Sequence, residues 1–254
     1  MGTSAITLRA QDGVRLRGLA LTGPADPGAP AIVVGHGFTH STARPATQRL
    51  LRALSRYGTV IALDFRGHGR SGGGCTVGDA EVYDLAAAVD WAHDRGHDRV
   101  VTLGFSMGGG VAVRHAARFG GVAAVAVVSP VTRWYYRDTR PMRRVHWLLE
   151  ARIGRAVARY GLRVRLGPRW TDPPPSPLDV AGQLGCPLLI VHGDADTYFP
   201  VDHAVALAGA APAAELWIEP GFGHAENAMT PALLDRVARW LVTASRQDSG
   251  TISL

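Results

Sequence analysis

Two serines of the chain stand in the pattern Gly-x-Ser-x-Gly, which can present a nucleophilic hydroxyl. Ser106 lies in GFSMG (residues 104–108), directly after the apolar run RVVTLGF and before the helical pattern MGGGVAVRHAARFG. Such a sharp strand-to-helix turn exposes the serine oxygen and needs glycines where backbone segments approach closely. Ser71 has the same pattern, but three more glycines follow it and no helix does. We therefore predict that Ser106 is the nucleophile.

A serine hydroxyl is a weak nucleophile until a base accepts its proton and a third group orients that base. His224 lies in PGFGHA after the strand pattern AELWIE, and Asp196 lies in HGDAD after the strand pattern PLLIV. Because ligands of open parallel sheets bind at the carboxyl ends of the strands, both residues are placed to reach Ser106. Asp194 is the alternative acid, although it follows the strand more closely.

Other histidines and acids of these turns have structural or metal-binding interpretations. His36 and His192 each precede a glycine at a strand end, and His68 lies in the glycine-rich stretch DFRGHGRS, which favours hydrogen bonding within the turns. A metal site at His192, Asp194 and Asp196 is a further alternative, but no HExxH motif or cysteine cluster accompanies it. We predict no metal and no cofactor.

The elements that must position these residues alternate between strand and helix patterns. This rhythm predicts an α/β fold with a mostly parallel sheet and helices on both faces. It is interrupted after residue 130, where residues 141–161 have the apolar stripe of one helical segment. We expect a core of residues 1–130 and 177–246, an insertion over 131–176, and a solvated tail over 247–254.

With the order Ser106, Asp196, His224, nearly the whole chain apart from the insertion and tail resembles the α/β-hydrolase family. The resemblance implies that Ser106 is the nucleophile, His224 the base and Asp196 the acid. It also implies an oxyanion hole made by the backbone N–H groups of Phe38, in the motif HGF, and Met107. Insertions at the position of 131–176 often form a cap over the active site in this family.

The expected cap is rich in aromatic residues that combine an apolar body with a polar tip. Side chains of this kind suit the wall of a substrate pocket, although they could equally pack the cap onto the core. The predicted substrate-binding residues are Trp134, Tyr135 and Tyr136 in the insertion, and Tyr198 and Phe199 after Asp196.

The charge of the chain is concentrated in the same insertion. All 27 basic residues are arginine, and the formal net charge is +6. Residues 133–169 contain eleven arginines and two acidic residues, a net charge of +9, so the remaining 217 residues carry −3. This argues against nucleic acid as a partner. The arginines could form a solvated face, attract an anionic or phosphopantetheine-linked substrate, or dock an acidic protein or membrane surface.

A serine in this setting predicts a hydrolase that cleaves carboxylic esters or thioesters through an acyl-enzyme. The alternatives are an acyltransferase or biosynthetic thioesterase that uses an acceptor other than water, and a non-catalytic small-molecule binding protein. A reduced cysteine pair, the lack of a signal-peptide pattern and the lack of a membrane-spanning apolar run favour a cytoplasmic protein. Acyl identity and oligomeric state are left open.

Overall fold

The computed structural model describes residues 2–26 and 28–246, which form an eight-stranded sheet flanked by helices. The strands are β1 (Thr3–Arg9), β2 (Arg15–Leu21), β3 (Ala31–Gly35), β4 (Thr59–Asp64), β5 (Val100–Phe105), β6 (Ala124–Val128), β7 (Leu188–Gly193) and β8 (Ala214–Glu219). The helices are α1 (Pro45–Leu54), α2 (Glu81–His93), α3 (Met107–Phe119), α4 (Arg140–Glu150), α5 (Arg152–Tyr160), α6 (Pro177–Val180), α7 (Val201–Ala210), α8 (Ala225–Ala228) and α9 (Pro231–Ala244), with a 3-10 turn at Ala181–Gln183. The predicted tail, 247–254, lies outside the described residues.

The sheet has the strand order β1-β2-β4-β3-β5-β6-β7-β8. The pairings of β1 with β2 and of β2 with β4 are antiparallel, and all pairings from β4 to β8 are parallel. Every residue of β3, β5, β6 and β7 is buried, which explains why these strands read as continuous apolar runs rather than alternating ones. The predicted α/β fold is confirmed.

Helices cover both faces of the sheet and divide the core into two clusters. On one face α2, α3 and α7 pack through residues such as Val82, Val111 and Leu207. On the other face α1 and α9 pack through residues such as Leu54 and Leu241. None of the helices in the described part of the chain is long and apolar enough to span a membrane.

Residues 131–176 leave the sheet after β6 and return before β7, and they contain two helices rather than one. The prediction of a single helical segment over 141–161 is wrong. The backbone is extended at Ala151, which separates α4 from α5. Gly154 then allows α5 to fold back onto α4, because a Cβ on this residue would lie 2.1 Å from the Trp147 carbonyl oxygen. The stripe of apolar residues therefore belongs to two short helices packed together.

Candidate active site

Ser106 occupies a sharp turn between β5 and α3. Its φ of 48° and ψ of −112° lie in a region that L-residues rarely adopt and that costs on the order of 1–3 kcal/mol. The flanking glycines are sterically required: a Cβ on Gly104 would lie 2.3 Å from the Gly108 carbonyl oxygen, and one on Gly108 would lie 2.3 Å from that of Gly35. The turn thus has the geometry that the GFSMG motif predicts.

A chain of hydrogen bonds connects Ser106, His224 and Asp196. The Ser106 Oγ lies 2.9 Å from His224 Nε2, and His224 Nδ1 lies 2.7 Å from Asp196 Oδ2. The other carboxylate oxygen of Asp196 accepts from the backbone amides of Tyr198, at 2.7 Å, and Phe199, at 3.2 Å. Because a carboxylate can only accept, this arrangement favours the His224 tautomer that carries its proton on Nδ1 and accepts the Ser106 proton on Nε2.

The same contacts determine the charge of Asp196, whose side chain is completely buried. Burial by itself raises the pKa of this carboxyl. The hydrogen bond from His224, the attraction to its ring and the two backbone amides outweigh burial and hold the pKa of Asp196 below its ordinary value. Asp196 is therefore ionised at neutral pH, as a group that orients a histidine and stabilises its positive charge must be.

The alternative residues named from the sequence lie in structural hydrogen bonds. Asp194 accepts from the Gly221 amide at 2.7 Å, and His192 Nε2 lies 3.0 Å from the Phe199 carbonyl oxygen. The buried Ser71 hydroxyl donates to the Asp64 carbonyl and accepts from the Arg17 amide. The structure does not bring Ser71 or Asp194 into the hydrogen-bonded chain. In residues 2–26 and 28–246, no three His, Cys, Asp or Glu side chains are grouped to hold a metal ion.

The loop after β3, which contains the HGF motif, is held by side chains on both sides. His36 Nε2 accepts from the Phe65 amide at 3.0 Å, and burial keeps the pKa of His36 well below its ordinary value, so this ring is neutral. His68 Nε2 lies 2.6 Å from the Phe38 carbonyl oxygen. Both histidines therefore have the structural roles that the glycine-rich turns favoured.

Glu226 is a component of the site that the sequence did not reveal. Its Oε1 accepts from the Gly37 amide at 2.6 Å, and its side chain is buried. A Cβ on Gly37 would lie 3.0 Å from Glu226 Oε2 and 3.5 Å from the Ser106 Cβ, so the loop passes tightly between the carboxylate and the serine. Glu226 follows His224 by two residues, but nothing in its spacing indicates a partner 189 positions away.

The family resemblance implied an oxyanion hole made by the backbone amides of Phe38 and Met107. Met107 is the first residue of α3, so its N–H has no acceptor within the helix and points from the positive end of the helix dipole. The Gly37 amide donates a hydrogen bond to Glu226, and the Phe38 carbonyl oxygen is hydrogen-bonded to His68. These bonds fix the peptide planes on both sides of the Phe38 amide. The oxyanion-hole role of Phe38 and Met107 stays a prediction.

A cavity of about 640 Å³ connects Ser106 and His224 with the insertion. All five aromatic residues predicted to bind substrate line it: Trp134, Tyr135, Tyr136, Tyr198 and Phe199.

Their environments differ. The Tyr198 ring stacks on His224 at 4.2 Å between centroids, and Tyr136 packs edge-on against His203 at 4.4 Å. Trp134 donates from its indole nitrogen to the Pro174 carbonyl, which fixes it inside the insertion. Phe199 is buried beside His224, whereas Tyr135 is largely exposed.

Several arginines of the insertion are occupied by backbone carbonyl groups. Arg155 donates to the carbonyls of Leu149, Leu166 and Gly167. Arg165 donates to the Ser71 carbonyl, which connects the insertion to the core, and Arg169 donates to that of Glu150. None of the three interpretations of the arginines anticipated this structural use.

The fold and the site together define the α/β-hydrolase class, and comparisons with known proteins agree. The family model described as "alpha/beta hydrolase fold" matches residues 30–168, more than half of the chain, so the chain belongs to this family. The matched range contains Ser106 but ends before Asp196 and His224, whose placement rests on the geometry above.

Solved structures resemble the chain over nearly its whole length. The esterase Pf2001 of Pyrococcus furiosus is 25% identical, with a TM-score of 0.73, and the match covers 94% of this chain and 92% of that one. The α/β-hydrolase GrgF of Penicillium sp. sh18 is 20% identical, with a TM-score of 0.76 and coverage of 97% and 100%. The esterase RhEst1 of Rhodococcus sp. ECU1013 is 20% identical, with a TM-score of 0.71 and coverage of 95% and 99%. At 20% identity the last two matches establish the fold alone.

Proposed function

We propose that this chain is a serine hydrolase that cleaves carboxylic esters or thioesters through an acyl-enzyme on Ser106. The observation that carries the proposal is the continuous hydrogen-bonded chain from Ser106 through His224 to the buried, ionised Asp196, which opens into a cavity. The similarity to the Pyrococcus furiosus esterase supports ester hydrolysis as the reaction.

In the first half of the reaction, the Ser106 Oγ attacks the carbonyl carbon of the substrate while His224 Nε2 accepts the serine proton. The negative charge that develops on the carbonyl oxygen is stabilised by the amides of Phe38 and Met107, each worth about 2.7–4 kcal/mol by analogy with other oxyanion holes. The tetrahedral intermediate then expels the alcohol or thiol, which takes the proton from His224. The acyl group is left on Ser106.

In the second half, a water molecule gives a proton to His224 and attacks the acyl carbon. The second tetrahedral intermediate releases the Ser106 oxygen, which regains its proton from His224, and the carboxylic acid departs. Asp196 stays ionised throughout and stabilises the charged His224 ring.

The wall of the cavity favours an apolar acyl group. Aliphatic side chains from both the core and the insertion line it; of the four arginines in the lining, Arg155 and Arg169 are committed to carbonyl groups, whereas Arg133 and Arg144 are exposed. These aliphatic side chains include Met107, Val131, Leu148, Leu149, Leu162 and Leu166.

Labelling with a fluorophosphonate, which reacts with activated serines, tests the assignment. The wild type and the Ser71→Ala control should be labelled and should hydrolyse p-nitrophenyl esters, whereas Ser106→Ala should lose both properties. The proposal would be contradicted if Ser106→Ala were still labelled, or if the folded wild type were not labelled. Matched oxygen esters and thioesters would then identify the leaving group, and product formation that requires an added alcohol or amine would assign acyl transfer instead.

A further inference from the structure

Helix α5 presents its large apolar side chains to solvent. The face that packs on α4 consists of small residues, Gly154 and Ala158, both buried. An adjacent face carries Ile153, Val157 and Tyr160, whose spacing of four and three residues places them on one side of the helix. Their exposed fractions are 73%, 42% and 77%. A helix that packs on a soluble core has the opposite arrangement, because it buries its large apolar side chains.

Helix α4, which packs against α5, adds another exposed apolar residue, Trp147, which is 46% exposed. We call Trp147, Ile153, Val157 and Tyr160 together the outer face of the cap. Scattered single apolar residues on a surface are ordinary, but grouped ones mark an interaction site. The composition of this group, aliphatic residues with one tryptophan and one tyrosine, is typical of side chains at a membrane–water interface.

Arginines surround the outer face. Arg140, Arg143 and Arg144 lie on α4, and Arg152 and Arg159 lie on α5, all exposed; Arg143 also donates to two backbone carbonyls, and Arg144 also lines the cavity. The acidic residues of 133–169 are Asp138 and Glu150, and Glu150 is paired with Arg137 at 2.7 Å and His146 at 3.0 Å. A second copy of the same face would bring two strongly positive surfaces together, so charge complementarity points to an anionic partner.

We propose that the outer face of the cap binds the headgroup region of an anionic lipid bilayer, with α5 lying in the plane of the interface. The apolar side chains would enter the boundary between headgroups and acyl chains, while the arginines bind lipid phosphates. The inner side of α4 contributes Leu148 and Leu149 to the cavity above Ser106, so the bound face and the cavity belong to the same insertion. The binding itself does not depend on the enzymatic activity proposed above.

Flotation with lipid vesicles tests the proposal, using the full chain with the substitution Ser106→Ala to prevent turnover. Vesicles of phosphatidylcholine and phosphatidylglycerol in equal amounts should carry the protein, and pure phosphatidylcholine vesicles should not. The substitutions Ile153→Ser, Val157→Ser and Tyr160→Ser together should abolish binding. The matched control, Val205→Ser with Ile218→Ser, removes exposed apolar residues elsewhere and should leave binding unchanged.

Arg152→Gln with Arg159→Gln should weaken binding about 30-fold, since each basic residue near an anionic surface contributes roughly a fivefold factor. Brominated lipids should quench tryptophan fluorescence of the bound protein, and Trp147→Phe should remove most of that quenching. Equal binding to neutral and anionic vesicles, or no binding to either, would overturn the proposal. If the triple serine variant still bound the vesicles and soluble polyglutamate fully competed with them, the proposal would be overturned and an acidic protein surface would be the partner.

Discussion

Replacing Glu226 by alanine is expected to slow the reaction without touching any reacting atom. The carboxylate accepts from the Gly37 amide at 2.6 Å and lies beside the loop that carries the Phe38 amide. The loop is also held through His36 and His68, so the substitution should loosen it rather than unfold it. We therefore expect Glu226 to be a positioning residue that acts on the transition state through the Phe38 amide.

The expected magnitude follows from the bond that is lost. A hydrogen bond to a charged group contributes about 1.5–3 kcal/mol, and deletion of an oxyanion-hole donor costs about 10²–10³ in kcat. Since Glu226→Ala leaves the Phe38 amide present but less well placed, we expect kcat to fall about 10- to 100-fold, below the effect of deletion. KM should change little, because the oxyanion forms only in the transition state. Glu226→Gln keeps an acceptor oxygen and should stay within about fivefold of the wild type.

Steady-state kinetics with a p-nitrophenyl ester would measure these effects, together with the affinity for a boronic acid that forms a tetrahedral adduct with Ser106. The boronic acid should bind Glu226→Ala more weakly by the same factor by which kcat falls. Asn227→Ala is the matched control, because Asn227 lines the same cavity and should leave kcat and inhibitor affinity unchanged. A folded Glu226→Ala protein with lower thermal stability but unchanged kcat would refute the positioning role.

Two further substitutions test the hydrogen-bonded chain and a buried histidine. Asp196→Asn should lower kcat about 10⁴-fold by favouring the wrong His224 tautomer, whereas Asp194→Asn should stay within a few-fold of the wild type; equal losses would contradict the assignment. Burial lowers the pKa of His115 to about 4 from an ordinary 6.5, so its neutral form stabilises the fold fully above pH 6.5, and this contribution is lost as the pH falls toward 4. Between pH 7.5 and pH 5 the unfolding free energy of the wild type should therefore fall by about 2 kcal/mol more than that of His115→Leu, as measured by urea denaturation. Parallel pH profiles of the two proteins would show that His115 does not titrate in this way.

The parts of the fold that the sequence predicted are those where local pattern and burial agree. The runs before Gly35, Ser106 and Gly193 are strands buried on both faces, so their continuous apolar character identified them. Once the strands are parallel, their carboxyl ends lie at one edge of the sheet. Residues with reactive side chains that directly follow strands, such as Asp196, could therefore be predicted to lie close together.

Contacts that depend on long-range packing could not be found in this way. The pairing of Glu226 with Gly37 joins two loops 189 positions apart, and the carboxylate stands at the start of the short helix α8, where acidic residues are common for purely local reasons. Ala151 is likewise a good helix former, yet it ends one helix and precedes the next. After the break Gly154 lets α5 pack closely on α4, a contact that a periodicity argument along one helix cannot detect.

The arginine-rich insertion shows why net charge alone was a poor guide to function. A guanidinium group has five N–H donors in a rigid fork, so Arg155 can hold three backbone carbonyl groups of the insertion, and Arg165 can hold the insertion to the core. The N–H donors that make these bonds are therefore not available to a ligand. Arg152 and Arg159 instead flank the exposed apolar residues of α5. The charge left for a ligand or partner is therefore the part that packing leaves exposed, which includes Arg152 and Arg159 on α5.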